Sequence, residues 1–329
     1  MTALPHIPWR NIQRKQLNRV EALMDFLQLS TAQRERVALK PEFPLLVPLR
    51  LAEKMAKKTL EDPIVKQFLP LKEELLTALD GFVLDPVADA TFRKSPKFLQ
   101  KYLGRGLILC TSACAMHCRY CFRKNFDYET DQHGFEEEIE LISQDTSLKE
   151  VILSGGDPLS LSNEQLGLLI SQIEKIPHIK RLRFHTRFPI GIPERIDQGF
   201  LEILTKTSLQ RYIVIHCNHV KELDADILDA MKALQGIGCI ILNQSVLLKD
   251  VNDDSATLID LCETLVNHSI LPYYLHQLDP VSGSNHFQVA EERGLYLIKE
   301  ISKVLPGYAV PKYVREIAGS PCKTPMAGL

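Results

Sequence analysis

Residues 106–124 read GLILCTSACAMHCRYCFRK. The segment begins as a short apolar run and passes into a polar loop, carrying Cys110, Cys114, Cys118 and Cys121 within twelve residues. A short apolar run bounded by turn-forming residues predicts a strand buried on both faces, the kind found in parallel sheets covered by helices. The pattern recurs at 150–153 (EVIL), 181–185 (RLRFH), 211–216 (RYIVIH), 239–243 (CIILN) and 271–276 (LPYYLH). Amphipathic stretches such as 163–176 and 255–269 lie between the runs. This alternation predicts an α/β fold, a partial (β/α)6 TIM-like barrel, because six units are visible where a complete barrel would have eight.

Every run ends in polar residues. The first leads into the cysteine loop, the second into Ser154-Gly155-Gly156-Asp157 and the third into His185-Thr186-Arg187. The fourth ends in His216-Cys217-Asn218-His219, the fifth in Asn243-Gln244-Ser245, the sixth in His276-Gln277-Leu278-Asp279. Active sites of barrels and open α/β sheets form at the carboxyl ends of parallel strands, so these loops predict one shared site.

Residues 1–99 are patterned differently and predict a mostly helical module, with residues 100–329 forming the barrel. Leu17, Val20, Leu23, Met24 and Leu27 recur at helical spacing, and Ser30-Thr31 offers an N-cap for a helix through Arg34 and Val37. A third helix is predicted over 50–59 and a fourth over 64–80, stopped by Gly81. The scattered Cys217, Cys239, Cys262 and Cys322 read as small buried hydrophobes.

Of the 329 residues 45% are hydrophobic and 24% charged, and the formal net charge is −2, which excludes a collagen, a disordered linker or an acidic tail. No global positive field recruits nucleic acid or anionic lipid, and no apolar run approaches the length of a membrane span. The first residues, MTALPHIPWRNIQRKQ, lack the apolar core of a secretory signal, so a cytoplasmic location is expected.

Cys114, Cys118 and Cys121 follow the spacing C-x3-C-x2-C. Three thiolates on one loop can hold three irons of a cubane and leave the fourth without a protein ligand. Structural zinc uses four ligands and closes its shell. Cys110 sits inside the apolar run and reads as core; His117 reads as a flanking loop residue.

With Tyr120 before the last cysteine, and with the barrel, the segment resembles the radical S-adenosylmethionine superfamily. The resemblance implies a [4Fe-4S] cluster on the three cysteines and S-adenosylmethionine on the fourth iron. Ser154, Gly155, Gly156 and Asp157 stand where that superfamily binds the methionine end, and glycine there would let a ligand approach the backbone.

Further segments, Cys-Arg-Tyr-Cys-Phe-Arg-Lys, Ser-Gly-Gly-Asp-Pro-Leu, Asn-Gln-Ser-Val-Leu-Leu, Pro-Tyr-Tyr-Leu-His and Lys-Thr-Pro, are similar to the lysine 2,3-aminomutase family from about residue 95 onward. The likeness is to the short branch acting in elongation factor P modification, where a ligase attaches β-lysine to the factor. It implies conversion of L-lysine to β-lysine, in the R form, with pyridoxal 5′-phosphate held as an aldimine by Lys323. Residue type alone reads Lys323 as a solvated tail charge. The likeness further implies Arg105 and Lys101 on the cofactor phosphate, Arg123 on the substrate carboxylate, and Asp279 with Glu316 on its side-chain ammonium. Lys101 replaces an arginine, and Glu316 an aspartate, of the long members. His216, Asn218, His219 and Gln244 match positions lining the pocket, and His185, Thr186 and Arg187 are expected to shape it. A reductant protein such as flavodoxin or ferredoxin is the implied electron source. The chain stops soon after Lys-Thr-Pro, so the zinc-linked assembly of long members is not expected. A radical enzyme for another amino acid and a non-catalytic zinc-binding module are the competing readings.

Overall fold

The computed structural model describes residues 8–75, 81–128 and 134–326. Among the described residues before the sheet come five short α-helices: α1 (Trp9–Gln13), α2 (Val20–Phe26), α3 (Thr31–Arg34), α4 (Leu49–Lys54) and α5 (Pro63–Phe68). Helix α2 is the expected one, shortened, because Leu17 pairs in an isolated antiparallel bridge with Val47. Ser30 caps α3 through a reciprocal box with Gln33, but the helix ends at Arg34 and Val37 bridges to Leu71. The helix expected over 50–59 is the six-residue α4. The one expected over 64–80 stops at Phe68, because Pro70 forces Leu69 into extended backbone (φ −77°, ψ 121°); residues 76–80 lie outside the described part. The opening helix α1 was not anticipated.

Ten strands follow in one sheet whose spatial order is their chain order. Strands β1 (Arg93–Ser95) and β2 (Phe98–Tyr102) enter antiparallel. Next come β3 (Arg105–Leu109), β4 (Glu150–Ser154), β5 (Arg181–Thr186), β6 (Gln210–His216), β7 (Ile240–Val246) and β8 (Leu271–His276). These six are the expected strands, and each pairs in parallel with the next. A further parallel strand, β9 (Lys312–Arg315), extends the series, and the two-residue β10 (Thr324–Pro325) returns antiparallel to it. The ends of the sheet do not pair, so the barrel is partial.

Each parallel step is bridged by helix: α6 (Glu136–Gln144), α7 (Asn163–Glu174), α8 (Phe188–Gly191) with α9 (Gln198–Lys206), α10 (Ala225–Gly236), α11 (Ser255–Asn267) and α12 (Glu291–Ile301). Helix α7 shows why these segments fold as they do. Ser162 and Gln165 close a capping box at its start, and Leu166, Leu169, Ile170 and Ile173 form one buried stripe. The N-terminal helices share a continuous apolar core with strands β2–β7, joining Leu23, Leu51 and Phe68 to Ile108, Phe184 and Ile213. No helix among the described residues is long and apolar enough to cross a membrane.

The turn after β4 touches the cysteine loop through bare backbone. Gly156 N–H donates to Thr111 O at 2.6 Å and Asp157 N–H to Ala113 O at 2.8 Å. Gly155 has φ +117°, and a Cβ there would stand 2.6 Å from Thr111 O; a Cβ on Gly156 would collide with Ala113 O and Ser112 O. Glycine is required here because the cysteine loop approaches so closely. Gly156→Ala should therefore cost about 1–3 kcal/mol of stability and loosen the loop. A lower thermal midpoint with reduced iron uptake on anaerobic reconstitution is the expected outcome; an unchanged midpoint would contradict this packing.

Candidate active site

The loop after β3 has no ladder of its own. Cys110 still belongs to the sheet, its N–H donating to Ser154 O at 2.9 Å, and its side chain is buried. Beyond it the N-terminal segments supply the partners. Gln16 Nε2 donates to Ala115 O at 2.6 Å, His117 N–H to Leu46 O at 2.9 Å, and Arg119 N–H to Gln67 O at 3.0 Å. The buried Arg119 guanidinium forks onto Glu74, with Nη2 to Oε2 at 2.6 Å, and reaches Phe43 O at 2.8 Å. His117 uses Nδ1 on Pro44 O and stacks on Phe43, as a flanking loop residue would.

So fixed, Cys114, Cys118 and Cys121 face one cavity of about 780 Å³, whereas Cys110 does not. Burial pushes the Cys114 thiol well up and the Cys121 thiol to about 11, each raised further by a neighbouring thiol. Protonated soft donors in a dry corner release protons when metal binds. Among the described residues no three His, Cys, Asp or Glu side chains are gathered closely enough to hold one metal ion. Three thiols on one loop suit three irons of a cluster. Of the scattered cysteines Cys217, Cys239 and Cys262 are buried as expected, but Cys322 is exposed, because it sits on the turn entering β10.

The cavity lining also includes the other expected site residues except Asn218 and His219: Lys101, Arg105, Arg123, Ser154, Gly155, Gly156, Asp157, His216, Gln244, Asp279, Glu316 and Lys323. Their neighbours refine their roles. Both oxygens of Asp157 are spent on protein donors, including Thr186 Oγ1 at 2.8 Å, Arg187 N–H at 2.7 Å and Phe188 N–H at 3.0 Å. Burial nevertheless raises it to about 6. Asp157 thus ties the end of β4 to the end of β5, which assigns it a positioning task.

Arg187 is the other hub, buried with its Nη1 2.7 Å from Cys118 Sγ and hydrogen-bonded to Tyr120. Its Nη2 donates to Gln67 Oε1 at 2.8 Å and to Glu222 Oε2 at 2.7 Å. His216 meets the Tyr120 hydroxyl at 3.2 Å, and burial, then the Arg187 charge, lower it to about 3. Asn218 and His219 do not line the cavity. Asn218 donates from inside the protein to Gln67 and Tyr120, and His219 Nδ1 accepts the Lys221 N–H.

At the far side stands a chain of alternating charge. Arg123 Nε meets Asp89 Oδ2 at 2.6 Å and Asp89 Oδ1 meets Lys101 Nζ at 2.6 Å. Lys101 Nζ stands 3.7 Å from Glu316 Oε1, and Glu316 Oε2 meets Lys323 Nζ at 2.6 Å. Lys101 also donates to Val87 O, so its ammonium is committed to protein acceptors. Arg105 stacks over Tyr102 and has no carboxylate partner among the described residues, leaving its guanidinium to the cavity. Burial lifts Asp279 to about 7, offset in part by Lys323 and reinforced by Glu316. Sequence reasoning missed Asp89, Glu74 and Gln67. Each lies N-terminal to the sheet, where no pattern of residue types marks a carboxylate or amide that will meet a loop folded later in the chain.

Three thiols stand on the first loop of a parallel partial barrel, and the Radical SAM superfamily model matches residues 108–262. Among curated proteins, the L-lysine 2,3-aminomutase of Escherichia coli K12 is 41% identical over 290 residues, 87% of this chain and 84% of that protein. That of Haemophilus influenzae is 38% identical over 96% of this chain and 94% of its own, and that of Clostridium subterminale 31% over 97% and 77%. The chain belongs to the lysine 2,3-aminomutase family, and it is an isomerase. The superfamily implies a [4Fe-4S] cluster and S-adenosylmethionine.

Replacing Cys114, Cys118 or Cys121 by alanine should abolish cluster binding, while Cys110→Ala should keep it; iron per chain after anaerobic reconstitution decides between them. Glu74→Gln should strand the buried Arg119 charge at a cost of about 3–5 kcal/mol. Its thermal midpoint and iron content should fall together. Full iron loading in that variant would show that the loop needs no clamp.

Proposed function

We propose that this enzyme converts L-lysine to (R)-β-lysine with pyridoxal 5′-phosphate as a further cofactor, supplying β-lysine for elongation factor P modification. The observation that carries the reading is that Lys323, immediately before β10, and the three thiols of the β3 loop line one cavity. The volume, about 780 Å³, is in the range of cofactor sites.

When bound, the cluster with S-adenosylmethionine supplies a hydrogen-abstracting carbon radical, and pyridoxal phosphate supplies an electron sink for nitrogen migration. The rest belongs to the chain. Ser154, Gly155, Gly156, His216 and Gln244 bound the S-adenosylmethionine end, with Asp157 holding its walls. Lys323 anchors pyridoxal phosphate by its side-chain nitrogen, and Arg105, free of any carboxylate among the described residues, takes the phosphate. Lys101 backs this site through its ion pairs.

Arg123 donates Nε to Asp89 and Nη1 to Ser154 Oγ at 3.3 Å, and offers its remaining Nη hydrogens to the substrate carboxylate. Asp279 and Glu316 select the side-chain ammonium, which needs paired anions once desolvated. The apolar walls, among them Leu99, Ile152, Leu242 and Leu278, exclude water from a radical. The elongation factor P role, a β-lysine ligase as functional partner, a flavodoxin or ferredoxin reductant and work in the cytoplasm rest on the likeness to the short branch.

Anaerobic incubation with L-lysine, S-adenosylmethionine, pyridoxal phosphate and a reductant, followed by chiral chromatography, should yield (R)-β-lysine. Turnover of a different amino acid with lysine untouched would overturn the substrate. Lys323→Ala should retain its iron and lose the visible absorbance of bound pyridoxal phosphate. A variant that keeps that absorbance after desalting would refute the anchoring role.

A further inference from the structure

Glu316 uses its two oxygens differently. Oε1 accepts the Tyr102 hydroxyl and faces Lys101, two groups built into β2, so it is fixed to the barrel. Among the described residues Oε2 meets only Lys323 Nζ, at 2.6 Å, and the Glu316 side chain is 9% exposed. A carboxylate so buried keeps its charge only beside a cation. Lys323 is that cation here, and on the proposed reading it is also the residue that bonds to the cofactor aldehyde. In that condensation the ammonium and the carbonyl give a protonated C=N bond and one water. Lys323 is then no longer a free ammonium, its remaining charge is shared with the cofactor, and Glu316 loses the counter-ion of Oε2. The chain of charge from Arg123 through Asp89 and Lys101 is unaffected.

We propose that Oε2 of Glu316 is a single ammonium seat used in turn. Lys323 occupies it while the chamber lacks the cofactor, and the side-chain ammonium of the substrate takes it once Lys323 is bonded. Lys101 and Tyr102 hold the seat in place for both. A second ammonium entering while Lys323 is still a free ammonium would meet like charge at one oxygen, so cofactor attachment precedes tight lysine binding. The inference rests on the function proposed above and adds an order of assembly. It also gives Lys101 a different task from phosphate binding, that of holding the carboxylate.

The test is calorimetric titration of the full chain, cluster reconstituted and pyridoxal phosphate withheld, with L-lysine and with norleucine, which lacks the side-chain ammonium. Lys323→Ala and Lys323→Gln should each bind L-lysine at least about tenfold more tightly than the wild type, because the seat is vacated. Norleucine affinity should be the same in all three. Adding Glu316→Gln to either variant should remove the gain. Equal lysine affinity in the wild type and both variants, including no detectable binding to any, overturns the proposal, as does an equal gain for norleucine. Titrating the wild type with pyridoxal phosphate separates the two layers. If no visible chromophore stays bound, the anchoring role of Lys323 fails whatever lysine does; if it binds and lysine shows no gain in the variants, only the shared seat fails.

Discussion

The site depends on holding an irregular loop still. Between Thr111 and Lys124 the chain carries three thiols and forms neither helix nor strand. Buried N–H and C=O groups need partners, so other segments must supply what a ladder would have supplied. They come from two directions. Gly156 and Asp157 after β4 meet Thr111 and Ala113 backbone to backbone, and the N-terminal segments meet Ala115, His117 and Arg119. The ion pair of Arg119 with Glu74 locks the second set in place. This is why the N-terminal helices share the core of the sheet: they form one wall of the mould in which the loop is cast.

The partial barrel accounts for the length of the chamber. A closed barrel fills its interior with layers of side chains. Here the sheet ends stay open, and the inward positions of β3 to β8 line space instead. Arg105 begins β3 and Cys114 lies beyond its far end, so the lining runs the length of a strand, at about 3.3 Å per residue. Lys101 and Lys323 belong to the chain of charge that runs through Asp89 and Glu316, while Arg187 stands against the thiol of Cys118. Arg123, two residues past the last cysteine, joins that chain through Asp89.

Much of this was legible from residue order. The six strands between Arg105 and His276 announced themselves because parallel strands are apolar on both faces, and their polar ends marked the mouth of the site. Strand β9 was not legible: in KYVR only Tyr313 and Val314 are buried, too short a run to stand out from a loop. The long fourth helix failed at Pro70, a local rule outweighed by an apparent period. Lys323 gave no signal of its own, and only the likeness of Lys-Thr-Pro to a family motif singled it out. Asp89 and Glu74 were illegible because their significance lies wholly in partners 34 and 45 residues away.

The central claim is that the thiol corner and the Lys323 corner belong to one reaction space. The most direct measurement is isotope transfer in a single anaerobic turnover with perdeuterated L-lysine, followed by mass analysis of the 5′-deoxyadenosine released. The account predicts deuterium carried from lysine into 5′-deoxyadenosine. Formation of 5′-deoxyadenosine free of deuterium, with the lysine label intact, would contradict it.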